Sequence, residues 1–399
     1  MQMCARSRQL APIGAVMCDF VTYWESKTMR SLLAAAALVA ALLVHAPLPA
    51  QAAEAASFDD TARLLAGMSP SPNSPLAPMT RESSWQQHAK HFDAAWAGLD
   101  NGQLGKVRAW TGRNMTASRQ PVFYMFSGPD FLYADAFFPN ASVYVLSGLE
   151  RTGPIPDAMK LRGNALAAGL GHLKVSLRQM MSHSYFITSQ MGSHLSRGQL
   201  NGTLPLLYVF LARSGKTVRD VSYVQLEPDG TVKPFEASGP TATPRAVKIV
   251  FSSSGGPEQT LYYFSTNLAN DGVAKSGFLK FCETLGTGNS FVKSASYLLH
   301  SGGFASVREF MLKNSTHILQ DDTGIPVSHF KEEGWSLRPF GWYTRPIAVF
   351  SRNYQPRLKV LFDQGKPGTL DFGIGYKWRA GQSNLMLANR KATQAAADK

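Results

Sequence analysis

The chain has 3 cysteines in 399 residues. Cys4 and Cys18 precede Met29 and Cys282 stands alone after it, so no internal disulfide can form downstream of that methionine. Stability must then come from an apolar core, which a chain of this length can supply. Acidic residues are also few, 27 Asp and Glu against 40 Lys and Arg, for a net charge of +13. There is no G-x-S-x-G elbow, and His88 and His91 have no glutamate between them in an H-E-x-x-H pattern. S-x-x-K occurs at Ser290/Lys293 and Ser328/Lys331, and a Ser-x-Asn at Ser265/Asn267 precedes both, but no Lys-Thr-Gly occurs anywhere, so the penicillin-binding arrangement is missing. No internal repeat is present.

One long apolar run does occur, over 31–46. Arg30 precedes it, Pro47-Leu48-Pro49 breaks it, and Ala50-Gln51-Ala52 supplies a small-x-small cleavage site. Read from Met29, this is a secretory signal peptide, 29–52, too short for a membrane span. The expectation is a translation start at Met29, with 1–28 a misassigned start, and a mature chain beginning near Ala53 in the periplasm or outside the cell. Residues 335–399 carry eleven Lys and Arg against three Asp and Glu. In that compartment such a basic segment would meet lipid head groups, lipopolysaccharide or acidic wall polymer rather than nucleic acid. As a solvated face it would meet nothing.

Four prolines in 68–78 suggest that 53–79 is a linker. Trp85, Ala89, Phe92, Trp96 and Leu99 then recur at helical spacing behind a Thr80 cap. Asn101-Gly102 ends that helix, and Leu104, Val107 and Trp110 continue as a second. After Pro121 the pattern reads strand (122–126), loop (Ser127-Gly128-Pro129-Asp130), helix (131–138) and strand (142–146), the spacing of a βαβ unit with a parallel pair. A long helix should start at Pro156-Asp157. The apolar run 204–211 reads as a central strand, and 247–251 with 260–264 as a hairpin. Strict alternation through Leu370, Phe372, Ile374, Tyr376 and Trp378 makes the end β-rich. The fold expected is α/β: a mixed, mainly parallel sheet flanked by helices. An N-terminal helical pair belongs to its core (80–334), and a β-rich basic C-terminal segment (335–399) packs on it.

A nucleotide-binding Rossmann unit is disfavoured because the loop holds one glycine, Gly128, and Pro129 removes a donor. What survives is geometry: residues at the carboxyl ends of parallel strands gather at one sheet edge. That places Asp130 with Asp321 and Asp322 as candidate catalytic carboxylates, if 122–126 and 318–320 are neighbouring parallel strands. Ser127, Glu150, His300 and Thr323 are candidate ligand-binding groups. Carboxylates so close need a proton, a base such as Lys293 or His300, or a hard cation such as Ca²⁺ or Mg²⁺. No cofactor is required by the sequence. Cys282, on the apolar face of a helix, reads as a small buried hydrophobe.

The blocks 123–150 (with S-G-P-D-F-L-Y), 204–215, 294–300 and 318–326 (with Q-D-D-T-G-I-P) resemble a family of exported bacterial proteins. The resemblance implies an envelope location and carries no activity or catalytic residue with it. Two functions are therefore expected. One is a non-catalytic envelope protein whose basic tail contacts an anionic surface. The other is an enzyme or small-ligand or cation binder with a carboxylate site at the sheet edge.

Overall fold

Helix formation begins inside the stretch expected to be a linker. Residues 55–183, 198–236 and 243–392 are described by the structure, a computed structural model. The expected start at Met29 and signal peptide 29–52 lie outside them. Ser57 caps helix α1 (Phe58–Leu65), its hydroxyl accepting from the Asp60 N–H. The Asp60 carboxylate accepts in turn from the Ser71 N–H at 2.7 Å, so the prolines shape a loop wrapped on this helix end rather than a free linker. Ala62, Leu64 and Leu65 are buried.

Helix α2 (Ser83–Leu99) buries Trp85, Phe92 and Leu99. Thr80 falls in the short helical turn before it, and Glu82 takes the cap position. Asn101-Gly102 does not stop the chain: a π-helical turn, Asp100–Leu104, feeds directly into α3 (Gly105–Asn114). These helices share one core with the sheet, as expected.

The βαβ unit is present as read: β1 (Val122–Tyr124), α4 (Phe131–Phe137) and β2 (Val143–Gly148), with β1 and β2 parallel. Alternation along β1 separates two cores. Val122 and Tyr124 join one with α4 and the N-terminal helices; Phe123 joins the other on the opposite face. The long helix α5 (Asn164–His183) starts later than expected, after a turn at Ala158–Lys160.

The run 204–211 is a correction. It forms helix α6 (Leu204–Arg213), not a central strand. Residues 204–212 are all buried, so the helix is apolar on every side and shows no stripe to betray its period. Pro205 in its first turn was the available signal, since proline fits there and not in a central strand.

Strands β3 (Lys216–Leu226), β4 (Val232–Pro234), β5 (Ala246–Ser253) and β6 (Glu258–Ser265) form an antiparallel wing, including the expected hairpin. Helices α7 (Asn270–Ser276) and α8 (Phe278–Thr284) lead to β7 (Gly288–Val292), then α9 (Ala305–Asn314) and β8 (Ser315–Gln320). The basic segment contributes β9 (Trp335–Gly341), α10 (Pro356–Gly365) and β10 (Asn384–Arg390). It extends the sheet itself, because β10 pairs antiparallel with both β8 and β9. Its alternating stretch 370–378 makes only the bridge Ile374–Lys377, and positive φ at Gly375 bends the chain there.

Among the described residues ten strands make one sheet in the order β4-β3-β5-β6-β2-β1-β7-β8-β10-β9, an α/β fold with a mixed sheet. Its parallel centre is β6-β2-β1-β7-β8. The strands at 122–126 and 318–320 are not direct neighbours, as β7 runs between them and is parallel to both. The small polar opening Gly288-Asn289-Ser290 hides β7 in the sequence. No helix among the described residues is long and apolar enough to cross a membrane.

Candidate functional site

From β1 the chain turns into α4 on one face of the sheet, while from β7 it reaches α9 on the other. Adjacent parallel strands whose connections leave in opposite directions open a crevice at their carboxyl ends, the usual ligand position in open α/β sheets. A pocket of about 190 Å³ lies there, lined by residues following β1, β2, β6 and β7.

Asp130 and Lys293 bridge the crevice. Lys293 Nζ lies 2.7 Å from Asp130 Oδ2, with both side chains almost wholly buried. Tyr124 donates its hydroxyl to the same oxygen at 2.9 Å, and the Tyr133 N–H donates to Oδ1, making Asp130 the cap of α4. The ammonium also lies 4.0 Å from the Tyr133 ring centroid. Burial pushes the Lys293 pKa below the ordinary lysine range, against the pull of Asp130 and Asp321.

Glu150 lines the same pocket. Gly148 allows its approach: a Cβ there would sit 2.3 Å from Glu150 Oε2 and 3.0 Å from the Gly128 Cα. Tyr263 donates to the Glu150 backbone and carboxylate oxygens, and burial raises the Glu150 pKa. Ser127 lines the pocket but ties the two strand ends together, donating to Gly128 O and accepting from the Ser147 N–H.

Asp321, Asp322, Thr323 and His300 sit behind the pocket rather than in its wall, where they brace the loop after β7. Asp321 accepts from the Ser294 N–H at 3.0 Å and from Thr323. Thr323 Oγ1 accepts from the Ala295 N–H. Asp322 accepts from the Tyr297 hydroxyl at 2.6 Å and from Asn384, with Lys377 at 3.5 Å. Burial, then the charge of Asp322, raises the Asp321 pKa to about 6. His300 packs edge-on to Tyr297, and burial depresses its pKa to about 4. N–H and O–H donors thus reach the carboxylate oxygens of Asp130, Asp321 and Asp322. The ammonium of Lys293 contacts Asp130 and also feels the charge of Asp321.

The braced loop is strained. Ser294, Ser296 and Tyr297 have φ of 55°, 49° and 57°, a region costing non-glycine residues on the order of 1–3 kcal/mol each. Gly375 lets the C-terminal segment close over it, since a Cβ there would meet Asp321 Oδ2 at 2.2 Å. Tyr376 donates to Ser294 O and pairs with Ser296 Oγ at 2.7 Å.

Sequence reasoning brought Ser127, Asp130 and Glu150 to the pocket, and named Lys293 only as a possible partner. It missed Thr266, Asn267, Phe126 and Phe304, which complete the wall. For Thr266 and Asn267 the one available signal was their place directly after strand β6. Compared with family models, curated proteins and solved structures, the chain matches none.

Proposed function

We propose that this chain binds a small hydroxyl-bearing molecule in the crevice between β1, β2 and β7 and performs acid–base chemistry on it. The observation that carries this reading is the buried Lys293–Asp130 pair opening onto the pocket. A buried ion pair is weak evidence for stability, because desolvation offsets its Coulombic gain. Its value lies in placing a proton-carrying group with a depressed pKa beside a ligand. Glu150, shifted upward by burial, offers a second such group on the same wall. Two groups displaced toward neutrality from opposite sides suit proton donation and removal. Ser296, Thr266 and Asn267 supply neutral hydrogen-bonding groups, and Phe126 and Phe304 supply ring faces.

The test is a thermal-shift screen of the full chain against sugars, polyols and hydroxy acids, repeated on Lys293→Met and Glu150→Ala. At least one compound should raise the midpoint of the parent protein and lose its effect in both folded variants. A panel without effect, or one stabilising all three proteins equally, refutes the reading.

The envelope-surface reading is favoured by a separate observation. Exposed Trp342 (58%), Val349 (77%), Tyr354 and Val360 are interleaved with exposed Arg345, Arg352 and Arg357. Interfacial aromatic and aliphatic groups among cations suit an anionic lipid surface. This surface would hold an exported protein at the envelope without taking part in chemistry.

A further inference from the structure

We infer that the pocket is one end of a longer cleft, and that its ligand is an acidic oligosaccharide. The inference rests on the reading of the pocket as a ligand site and names the class of ligand. A second cavity, of about 710 Å³, adjoins the pocket, and the two share Leu149, Thr266 and Asn267 as lining. Leu149, at the junction, is 68% exposed, an apolar surface that nothing among the described residues covers.

The groove is positively charged. Arg151, following β2, Arg245, entering β5, and Lys275, in the last turn of α7, line it from three separate elements. No carboxylate lines it among the described residues, and none of the three cations forms an ion pair among them. All three are exposed. Val224, Leu226, Ala246 and Phe264 give the lining an apolar part. Cations gathered without counter-charges beside a concave surface concentrate anions there.

The two halves differ in what they suit. The pocket offers hydroxyls, an amide, the Glu150 carboxyl group beside the Lys293–Asp130 pair, and ring faces, which match the hydroxyls and apolar faces of a sugar unit. The groove offers cations above an apolar surface, which match neighbouring units bearing carboxylates. A chain of acidic sugar units satisfies both at once. A free anion would use the groove alone, and a neutral sugar only the pocket.

Isothermal titration of the full chain with hexagalacturonate, and with its fully methyl-esterified, uncharged counterpart, tests this at low and moderate salt. The charged hexamer should bind and the ester should bind at least tenfold more weakly. The triple variant Arg151→Gln, Arg245→Gln, Lys275→Gln should lose at least tenfold in affinity. A charge-matched control, Arg81→Gln, Lys90→Gln, Arg113→Gln, whose cations lie on the N-terminal helices away from the cleft, should stay within twofold. Glu150→Ala should also weaken binding, because the ligand reaches the pocket. Failure of the hexamer to bind, equal binding of the ester, or equal losses in the two triple variants overturns the inference. Groove-dependent binding indifferent to Glu150→Ala overturns the single cleft. In each of these cases a hit from the thermal-shift screen that depends on Lys293 and Glu150 would leave the pocket reading standing.

Discussion

Lys293 Nζ lies 2.7 Å from Asp130 Oδ2, and the two side chains are 2% and 1% exposed. Lys293 directly follows β7 and Asp130 ends the loop from β1 to α4, so this contact fastens the two sides of the switch-point crevice. Removing one partner leaves the other charge buried, at a cost of about 3–5 kcal/mol. Asp130→Asn keeps the cap on α4, which asparagine serves as well as aspartate, yet strands the ammonium. Chemical denaturation should show Asp130→Asn strongly destabilised, and the double variant Asp130→Asn/Lys293→Met less so. Simple additivity of the two substitutions would show that the charges do not interact.

Asp321 and His300 oppose one another in their response to pH. The Asp321 pKa is raised to about 6, so its contribution to stability is present below pH 4 and is lost as pH rises through 6. Relative to the parent protein, Asp321→Asn should therefore gain up to about 3 kcal/mol between pH 4 and pH 7. The His300 pKa is lowered to about 4, so its contribution is present above pH 6.5 and is lost as pH falls toward 4. His300→Gln should gain on the parent as the solution is acidified. Thermal midpoints across this range check both signs, and difference curves that stay flat contradict them.

Helix α6 lies wholly inside the core. Leu207→Ala should cost about 2–5 kcal/mol, because 0% exposure leaves a cavity that its neighbours cannot fill. Val175→Ala, on the outer side of α5 and 39% exposed, should change stability by less than about 0.5 kcal/mol. Urea unfolding midpoints of the two variants should separate clearly.

The exposed segment around Trp342 and Val349 should bind vesicles containing anionic lipid, and added salt should weaken the binding. Joint neutralisation of Arg345, Arg352, Arg357 and Lys359 should abolish it, as read by co-sedimentation. Binding unaffected by the substitutions would make these residues a solvated face, with Lys359 occupied by its ion pair to Asp363.

Strict periodicity and turn chemistry made much of the fold legible. Phe131 to Phe137 behind an aspartate cap, and Val143 to Leu146 after Pro139-Asn140, identify the βαβ unit without tertiary information. The errors came where burial erased the period. Leu204 to Ala212 touch core on all sides, so strand and helix predict the same residues. Asn289 and Ser290 carry strand β7 through the interior as polar residues, with Ser290 satisfied by Ser315 at 2.7 Å. Missing β7 displaced the expected neighbours of Asp130 by one strand. It brought Asp321 and Asp322 behind the pocket, where they fix a strained loop. Arg151, Arg245 and Lys275 are far apart in sequence and converge only through sheet topology, so no local pattern announced them.

The central claim is that Lys293 is held beside the pocket with its proton affinity reduced. Direct titration of its side chain by ¹³C and ¹⁵N NMR tests this, with the resonance assigned by its loss in Lys293→Met. The account predicts a pKa below that of the exposed lysines, which titrate near 10.4, since burial outweighs the attraction of Asp130 and Asp321. A pKa at or above that of the exposed lysines would contradict it.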